Sequence, residues 1–309
     1  MFIRQDGPLL RAYAPAKLNL FLEVLGKRSD GYHEIETLMV AVNTFDTLTF
    51  SPRDDAEFHL TVDGPWGGER NSATARHDAL PTDARDNLVV RALRLLKERS
   101  GTERGMDVHL HKRIPPASGL GGGSSNAAAT LLAANLVWGL GYARSELAEI
   151  AAEMGSDIPF FLTARTGRSA MAARCIGRGE VVQPVSIPAT MHFVIVRPEF
   201  GLSTPEIYQR CRAAEQPQRA ERLLQALGQG NLRIAGNLMT NRLQEPAREV
   251  AAALDSVAEG FSSLGAVGHQ LSGSGSAYFG SFSSARSAKR AAVTFRARGW
   301  TNAWYAQAV

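Results

Sequence analysis

Cysteine is nearly missing from this chain. Cys175 and Cys211 are the only two in 309 residues, too few and too far apart for a disulfide framework or a metal knuckle. A reducing, cytoplasmic setting follows, with both thiols acting as small packing residues. No apolar run approaches the ~18 residues of a membrane span. Residues 1–6 lack the apolar core and small-residue cleavage site of a secretory signal, so a soluble protein is expected. A surplus of one charge is absent too: 34 basic residues against 30 acidic leave a net +4. Arg91, Arg94, Lys97 and Arg99 share one helical stretch with Glu98 and apolar positions, which is a solvated face and not a nucleic-acid stripe. No nucleic-acid or membrane partner is expected, and a mild positive bias suits an enzyme that binds polyphosphate ligands.

What the chain does have is glycine, concentrated at one place. Pro115, Pro116, Ala117, Ser118, Gly119, Leu120, Gly121, Gly122, Gly123, Ser124 and Ser125 join a strand pattern (Met106, Val108 and Leu110 alternating with Asp107, His109 and His111) to an Ala- and Leu-rich helical stretch, 126–137. Strand, glycine turn, helix is the order of a phosphate cradle. Glycines let backbone N–H groups close on an anion, and the first helical turn offers unpaired donors and the positive end of the dipole. Ser124 and Ser125 occupy the expected N-cap position, where a hydroxyl can cap the helix or face a phosphate and its Mg²⁺. No lysine follows Gly122 or Gly123, which excludes the P-loop of NTPases. Serine at 124 in place of a third glycine, with helix rather than strand beyond it, excludes the dinucleotide fingerprint.

Elsewhere, 18–24 and 37–42 read as strands around a polar turn at 26–31. Residues 63–85, rich in Gly, Pro, Asp and Arg, read as a surface insertion. Helical spacing returns at 87–99, with an apolar stripe of Leu88, Ala92, Leu95 and Leu96, and again at 144–154 with Ser145 as its cap. A domain boundary is expected at 164–167. Beyond it lie a strand at 193–196, helices at 205–214, 220–227 and 247–261, two closing strands at 267–271 and 278–282, and a helix at 285–298 ahead of Trp304. This mixed order argues for α+β and against a doubly wound parallel sheet.

The block P-x-x-x-G-L-G-G-G-S-S-N-A-A at 115–128 resembles the phosphate loop of the GHMP kinases, the superfamily of galactokinase, homoserine kinase and mevalonate kinase. Gly155-Ser156-Asp157-Ile158-Pro159-Phe160-Phe161 and Leu271-Ser272-Gly273-Ser274-Gly275-Ser276-Ala277 extend the match. Ala14-Pro15-Ala16-Lys17-Leu18-Asn19-Leu20 and the block from Gly26 through Asp30-Gly31-Tyr32-His33-Glu34 look like the branch that phosphorylates the 2-hydroxyl of 4-diphosphocytidyl-2-C-methyl-D-erythritol. The resemblance runs in unbroken order from about Ala14 to Gly280.

The resemblance implies a two-lobed α+β fold: a ribosomal-protein-S5-domain-2-like lobe over 1–165 and a ferredoxin-like α/β sandwich lobe over 166–309. It implies ATP as co-substrate, Mg²⁺, and a small-molecule substrate carrying a cytidine diphosphate moiety; monomer and weak homodimer both remain open. Asp157 is the implied general base and Lys17 the ammonium that stabilises it and the developing alkoxide, since an aspartate of pKa ~3.9 is a weak base by itself. Asn19, Tyr32 and His33 fall at the substrate, with Tyr32 and His33 against the cytosine, an aromatic face and an imidazole that can stack on a base and read its edge. Thr204, Ser272, Gly273 and Ser274 fall on the substrate side as well, and Asn87 and Lys112 near the adenine. Each has a structural alternative: Asp157 can cap the turn after it, Lys17 can snorkel from an edge strand, Tyr32 and His33 can finish a hairpin, and Thr204 can cap a helix ahead of Pro205. Asn241-Arg242-Leu243-Gln244 stands where relatives have an Asn-Asp-Leu-Glu-like segment, at a position expected to be remote from the catalytic pair. A kinase for a smaller alcohol of the homoserine or mevalonate type, or a non-catalytic nucleotide-binding paralogue, are the competing readings.

Overall fold

The chain opens with a short strand, β1 (Phe2–Asp6), followed by two long ones, β2 (Leu9–Lys27) and β3 (His33–Arg53). The computed structural model describes residues 1–7, 9–67, 86–163, 170–187 and 190–309. The sequence marks only 18–24 of β2 and 37–42 of β3 as strand, which fall where burial is continuous, whereas buried residues alternate with half-buried ones at the start of β2 and in the second half of β3. Both strands contribute to each of two compact units, one made of Met1–Ala16, Thr44–Pro116 and Gly121–Thr163, the other of Lys17–Asn43, Ala117–Leu120 and Ala164–Val309.

In the first unit β1 pairs antiparallel with the start of β2. The end of β3 pairs antiparallel with β5 (Gly105–His111), which pairs parallel with β4 (Phe58–Asp63). Helix α1 (Leu88–Ser100) starts at Asn87, whose side chain accepts from the Val89 N–H, and ends at Gly101. Its buried face is Val89, Val90, Ala92, Leu93 and Leu96, rotated from the expected stripe, with Leu88 and Leu95 half-buried. Helix α2 (Gly122–Trp138) is apolar nearly all round and buried, as a core helix must be. It begins four residues earlier than the sequence suggests. Gly121 at φ 69° takes the N-cap, so Ser124 and Ser125 sit inside the first turn and cap nothing. Helix α3 (Arg144–Ala152) is capped at Ala143, whose N–H donates to Glu146 Oε2 at 2.7 Å, which puts Ser145 inside the helix and not at its cap. Helix α4 (Ile158–Thr163) closes this unit.

The second unit adds β6 (Ala172–Gly177) and β7 (Val181–Pro184), with β6 antiparallel to the start of β3. A four-stranded antiparallel sheet follows, from β8 (His192–Val196), β10 (Gly268–Leu271), β11 (Tyr278–Phe282) and β12 (Ala303–Gln307), in the order β10-β11-β8-β12. Thus a third strand closes the chain after the last helix, where the sequence shows only Trp304. Between these strands come α5 (Thr204–Arg210), α6 (Glu221–Gly228), α7 (Leu232–Leu238), β9 (Thr240–Asn241), α8 (Gln244–Val250), α9 (Ala253–Ser263) and α10 (Ala285–Ala297). The helix expected at 247–261 is two helices, broken where Ala251 leaves the helical region (φ -140°, ψ 84°), and the one expected at 205–214 stops at Arg210 because Cys211 turns extended. The core centres on Phe261, packed against Phe295 with ring centroids 4.6 Å apart and against Tyr278. Cys175 is buried and Cys211 half-buried, and neither is in a disulfide. Among the described residues no helix is long and apolar enough to cross a membrane. Most of the expected insertion (68–85) and the expected boundary (164–167) lie outside the described residues.

Candidate active site

Alternation along β2 turns Lys17 and Asn19 to one face, and both are buried. The Lys17 ammonium donates to Asn19 Oδ1 at 2.7 Å, Asn19 Nδ2 donates to Thr37 Oγ1 at 2.8 Å, and the Thr37 hydroxyl donates to the Phe21 carbonyl at 2.6 Å. Lys17 is thus no edge-strand snorkel. The turn after β10 meets this pair. Ser272 Oγ donates to the Gly119 carbonyl at 3.0 Å and lies 3.5 Å from Asn19 Oδ1. A Cβ on Gly273 would sit 3.4 Å from both Lys17 Nζ and Asn19 Oδ1.

The arm 117–120 of the glycine turn joins them. Lys17 N–H donates to the Leu120 carbonyl at 2.9 Å, and Ala277 N–H to the Ser118 carbonyl at 3.0 Å. Gly119, at φ +74°, has no room for a side chain: a Cβ would lie 1.9 Å from the Ser272 carbonyl oxygen. Ala117 holds φ 47°, a left-handed conformation uncommon for a residue with a Cβ. So the structure brings Lys17, Asn19, Gly119, Leu120, Ser272 and Gly273 together. Thr204, the first residue of α5, pairs its hydroxyl with Ser274 Oγ at 2.7 Å, while Ser203 takes the N-cap position. The segment 241–244 is not remote from Lys17, as Asn241 Nδ2 donates to the Gly273 carbonyl at 2.8 Å.

Tyr32 and His33 follow the tight turn in which Asp30 Oδ1 accepts the Tyr32 N–H. The His33 ring lies over that of Tyr208, centroids 5.1 Å apart. Burial, with Lys27 nearby, holds the imidazole below its ordinary pKa and therefore neutral at pH 7. Tyr32 is exposed, with the Arg178 guanidinium 4.8 Å from its ring centre. Tyr208 and Arg178 carry no sequence signal that separates them from other helix and hairpin residues.

In the first unit the remainder of the glycine turn is buttressed from below. Lys112 is ion-paired with Asp46, both fully buried, and a Cβ on Gly122 would lie 2.9 Å from Lys112 Nζ. Asp46 also accepts the Arg113 and Ile114 N–H groups at 2.7 and 2.8 Å and Asn126 Nδ2 at 3.1 Å. Burial pushes the Asp46 carboxyl above and the Lys112 ammonium below their ordinary values, with their mutual attraction opposing both shifts. Pro115 and Pro116 lead from this anchor into the turn. The first turn of α2, Gly122 to Ser124, presents its orphan N–H groups, with Gly123 exposed. Ser125 Oγ is buried without a hydrogen-bond partner among the described residues. Asn87 caps α1 with its side chain. Asp157, half-buried, occupies the turn before α4, where Ile158 N–H donates to Gly155 O at 3.3 Å.

Residues 87–165 match the family described as GHMP kinases N terminal domain, and 223–299 that described as GHMP kinases C terminal. A curated relative, the 4-diphosphocytidyl-2-C-methyl-D-erythritol kinase of Rhodopirellula baltica, is 38% identical, covering 91% of this chain and 89% of its own. The chain belongs to the 4-diphosphocytidyl-2-C-methyl-D-erythritol kinase family. The family member of Kineococcus radiotolerans is 39% identical over 85% of this chain and 78% of its own. A crystal structure of 4-(cytidine 5'-diphospho)-2C-methyl-D-erythritol kinase superposes with a TM-score of 0.77 at 33% identity, covering 96% of this chain and 98% of that one. Homoserine kinase from Cytophaga hutchinsonii, 21% identical with a TM-score of 0.70, shares the fold. The α+β GHMP kinase fold expected from the sequence is therefore the fold observed, and the family makes this protein an ATP-dependent small-molecule phosphotransferase.

Proposed function

We propose that the enzyme transfers the γ-phosphoryl group of ATP to the 2-hydroxyl of 4-diphosphocytidyl-2-C-methyl-D-erythritol, a cytoplasmic step of the non-mevalonate route to isoprenoid precursors. The observation that carries this reading is 38% identity across 91% of the chain to a kinase named for that alcohol. The ring pair of His33 and Tyr208 and the exposed ring of Tyr32 support it, as flat surfaces on which a pyrimidine can stack.

Phosphoryl transfer asks the protein chiefly to position donor and acceptor and to balance charge. In this reading the turn from Pro115 to Ser125 receives the triphosphate on its backbone N–H groups. Asn87 and Lys112 serve the nucleotide side, Lys112 from beneath the first turn of α2. Asn19, Thr204, Ser272, Gly273 and Ser274 orient the alcohol. Asp157 accepts the hydroxyl proton as the new oxygen–phosphorus bond forms, and Lys17 stabilises the negative charge on the acceptor oxygen. The bond from the γ-phosphorus to the bridging oxygen breaks, and ADP departs with that electron pair. The family domains are assigned to 1–165 and 166–309.

Among the described residues no trio of His, Cys, Asp and Glu is arranged to hold a metal ion. The Ser125 hydroxyl, without a hydrogen-bond partner among the described residues, nevertheless fits a hard cation, which takes oxygen ligands and keeps several from phosphate and water. Ser125, with Ser124 beside it, would hold Mg²⁺ together with ATP oxygens. When bound, Mg²⁺ neutralises charge on the phosphates.

An ADP-release assay across alcohols tests the reading. Turnover of the cytidyl alcohol should exceed that of homoserine or mevalonate by about a hundredfold or more. Turnover of homoserine or mevalonate with none of the cytidyl alcohol would reverse the assignment, and ATP binding without ADP release from any alcohol would favour a non-catalytic paralogue.

A further inference from the structure

The turn 272–276 touches Lys17, Asn19 and Gly119, yet its own side chains are small and its glycines give it no stiffness. Its shape is set from behind by the segment 241–244. Asn241, buried, divides its two Nδ2 hydrogens between the Leu271 and Gly273 carbonyls, each at 2.8 Å. Its Oδ1 accepts the Leu243 N–H at 3.0 Å, so both amide hydrogens and the oxygen are engaged and a flipped carboxamide would face carbonyls with oxygen. Gln244 Oε1 accepts the Leu271 N–H at 3.0 Å, so both backbone groups of Leu271 end on side chains of this one segment. The segment itself is fixed to the strand that carries Lys17: β9 pairs parallel with Phe21 and Leu22 of β2, and Arg242 grips the buried Glu23 at 2.6 and 3.0 Å. Gln270, next to Leu271, donates to the Asn19 carbonyl at 2.7 Å.

From this we propose that Asn241 is a positioning residue for the phosphoryl transfer. By bridging Leu271 and Gly273 it holds the turn 272–276 at the distance from Lys17, Asn19 and Gly119 at which those groups act on acceptor and phosphate. The inference rests on the roles given above to Lys17 and to the turn. Asn241 touches no reacting atom, and its effect passes through the backbone carbonyls of Leu271 and Gly273. Arg242 gives the contrast, because it belongs to the same segment but spends its guanidinium on Glu23 and not on the turn.

The test compares Asn241→Asp, Asn241→Ser and Arg242→Gln with the wild-type enzyme, measuring kcat, both KM values and Tm with ATP, Mg²⁺ and the cytidyl alcohol. Asp has the shape of Asn but faces the two carbonyls with oxygen, and Ser keeps at most one donor. Asn241→Asp should lower kcat by about tenfold to a hundredfold, as misplacement of a positioned group does, and Asn241→Ser by less. Arg242→Gln should lower Tm and leave kcat near the wild-type value. If Asn241→Asp does not fold, Asn241→Ser carries the test. Folded Asn241 variants with wild-type kcat, or with losses that merely track Tm as in Arg242→Gln, overturn the proposal. Absence of wild-type turnover would instead remove the functional reading on which it rests.

Discussion

The Lys17 ammonium is bound to Asn19 Oδ1 two residues along the same strand, and Asn19 is held in turn by Thr37. An ammonium held in place by an amide oxygen is preorganised to meet negative charge developing on a ligand. Lys17→Met should therefore cut kcat by about a hundredfold or more, the loss seen when one preorganised electrostatic contact is removed. Steady-state kinetics beside a thermal melt decides; a near wild-type kcat contradicts the role.

Lys112 and Asp46 form a closed ion pair, 2% and 0% exposed. Lys112→Met leaves a buried carboxylate short of its cation and should destabilise the fold by about 3 kcal/mol, the cost typical of breaking such a pair from one side. Because Asp46 ties Arg113, Ile114 and Asn126 together, the KM for ATP should rise as well. Adding Asp46→Asn should restore part of the stability in a double-mutant cycle by denaturant melting. Strict additivity would show that the two side chains are not coupled.

Ser125→Ala separates a ligand from a structural hydroxyl. With no hydrogen-bond partner among the described residues, loss of the Oγ should leave Tm unchanged. If that oxygen meets the cation or phosphate, the KM for Mg²⁺-ATP should rise about tenfold, one lost charge-assisted contact. An unchanged KM would remove Ser125 from the nucleotide site.

His269 stacks on Phe261 and exchanges hydrogen bonds with Ser262 and Tyr278 at 2.9 and 3.1 Å. Burial lowers its pKa from 6.5, and His33 and His192 move the same way for the same first cause. The unfolded chain thus takes up these protons first, so stability is complete above about pH 6.5 and falls as the pH drops further. In thermal melts between about pH 5 and 7, His269→Gln should show a shallower loss than wild type. A slope unchanged by the substitution would assign the acid sensitivity to other groups.

The glycine turn is legible in the sequence because its chemistry is local. Gly119 needs both a positive φ and a missing side chain, and such a run before an Ala-rich helix has few other uses. The start of α2 is misread for the same reason: Gly122 and Gly123 look like loop, yet Gly121 in the left-handed region caps the helix and they form its first turn. Asp46 is invisible because its donors lie 66 to 80 positions away along the chain. The full length of β2 and β3 is hidden because strands of 19 and 21 residues run on past the stretches that pattern marks, and the last strand because it is only five residues long. The place of Asn241 beside the 272–276 turn likewise depends on a parallel pairing with β2 that no local pattern announces.

Phosphorus NMR of the cytidyl alcohol incubated with ATP, Mg²⁺ and enzyme is the most direct test of the central claim. The expected result is a new phosphomonoester resonance growing in step with ADP while the cytidine diphosphate resonances persist. ADP accompanied only by inorganic phosphate, or no change in the cytidyl alcohol while homoserine or mevalonate is phosphorylated, would contradict it.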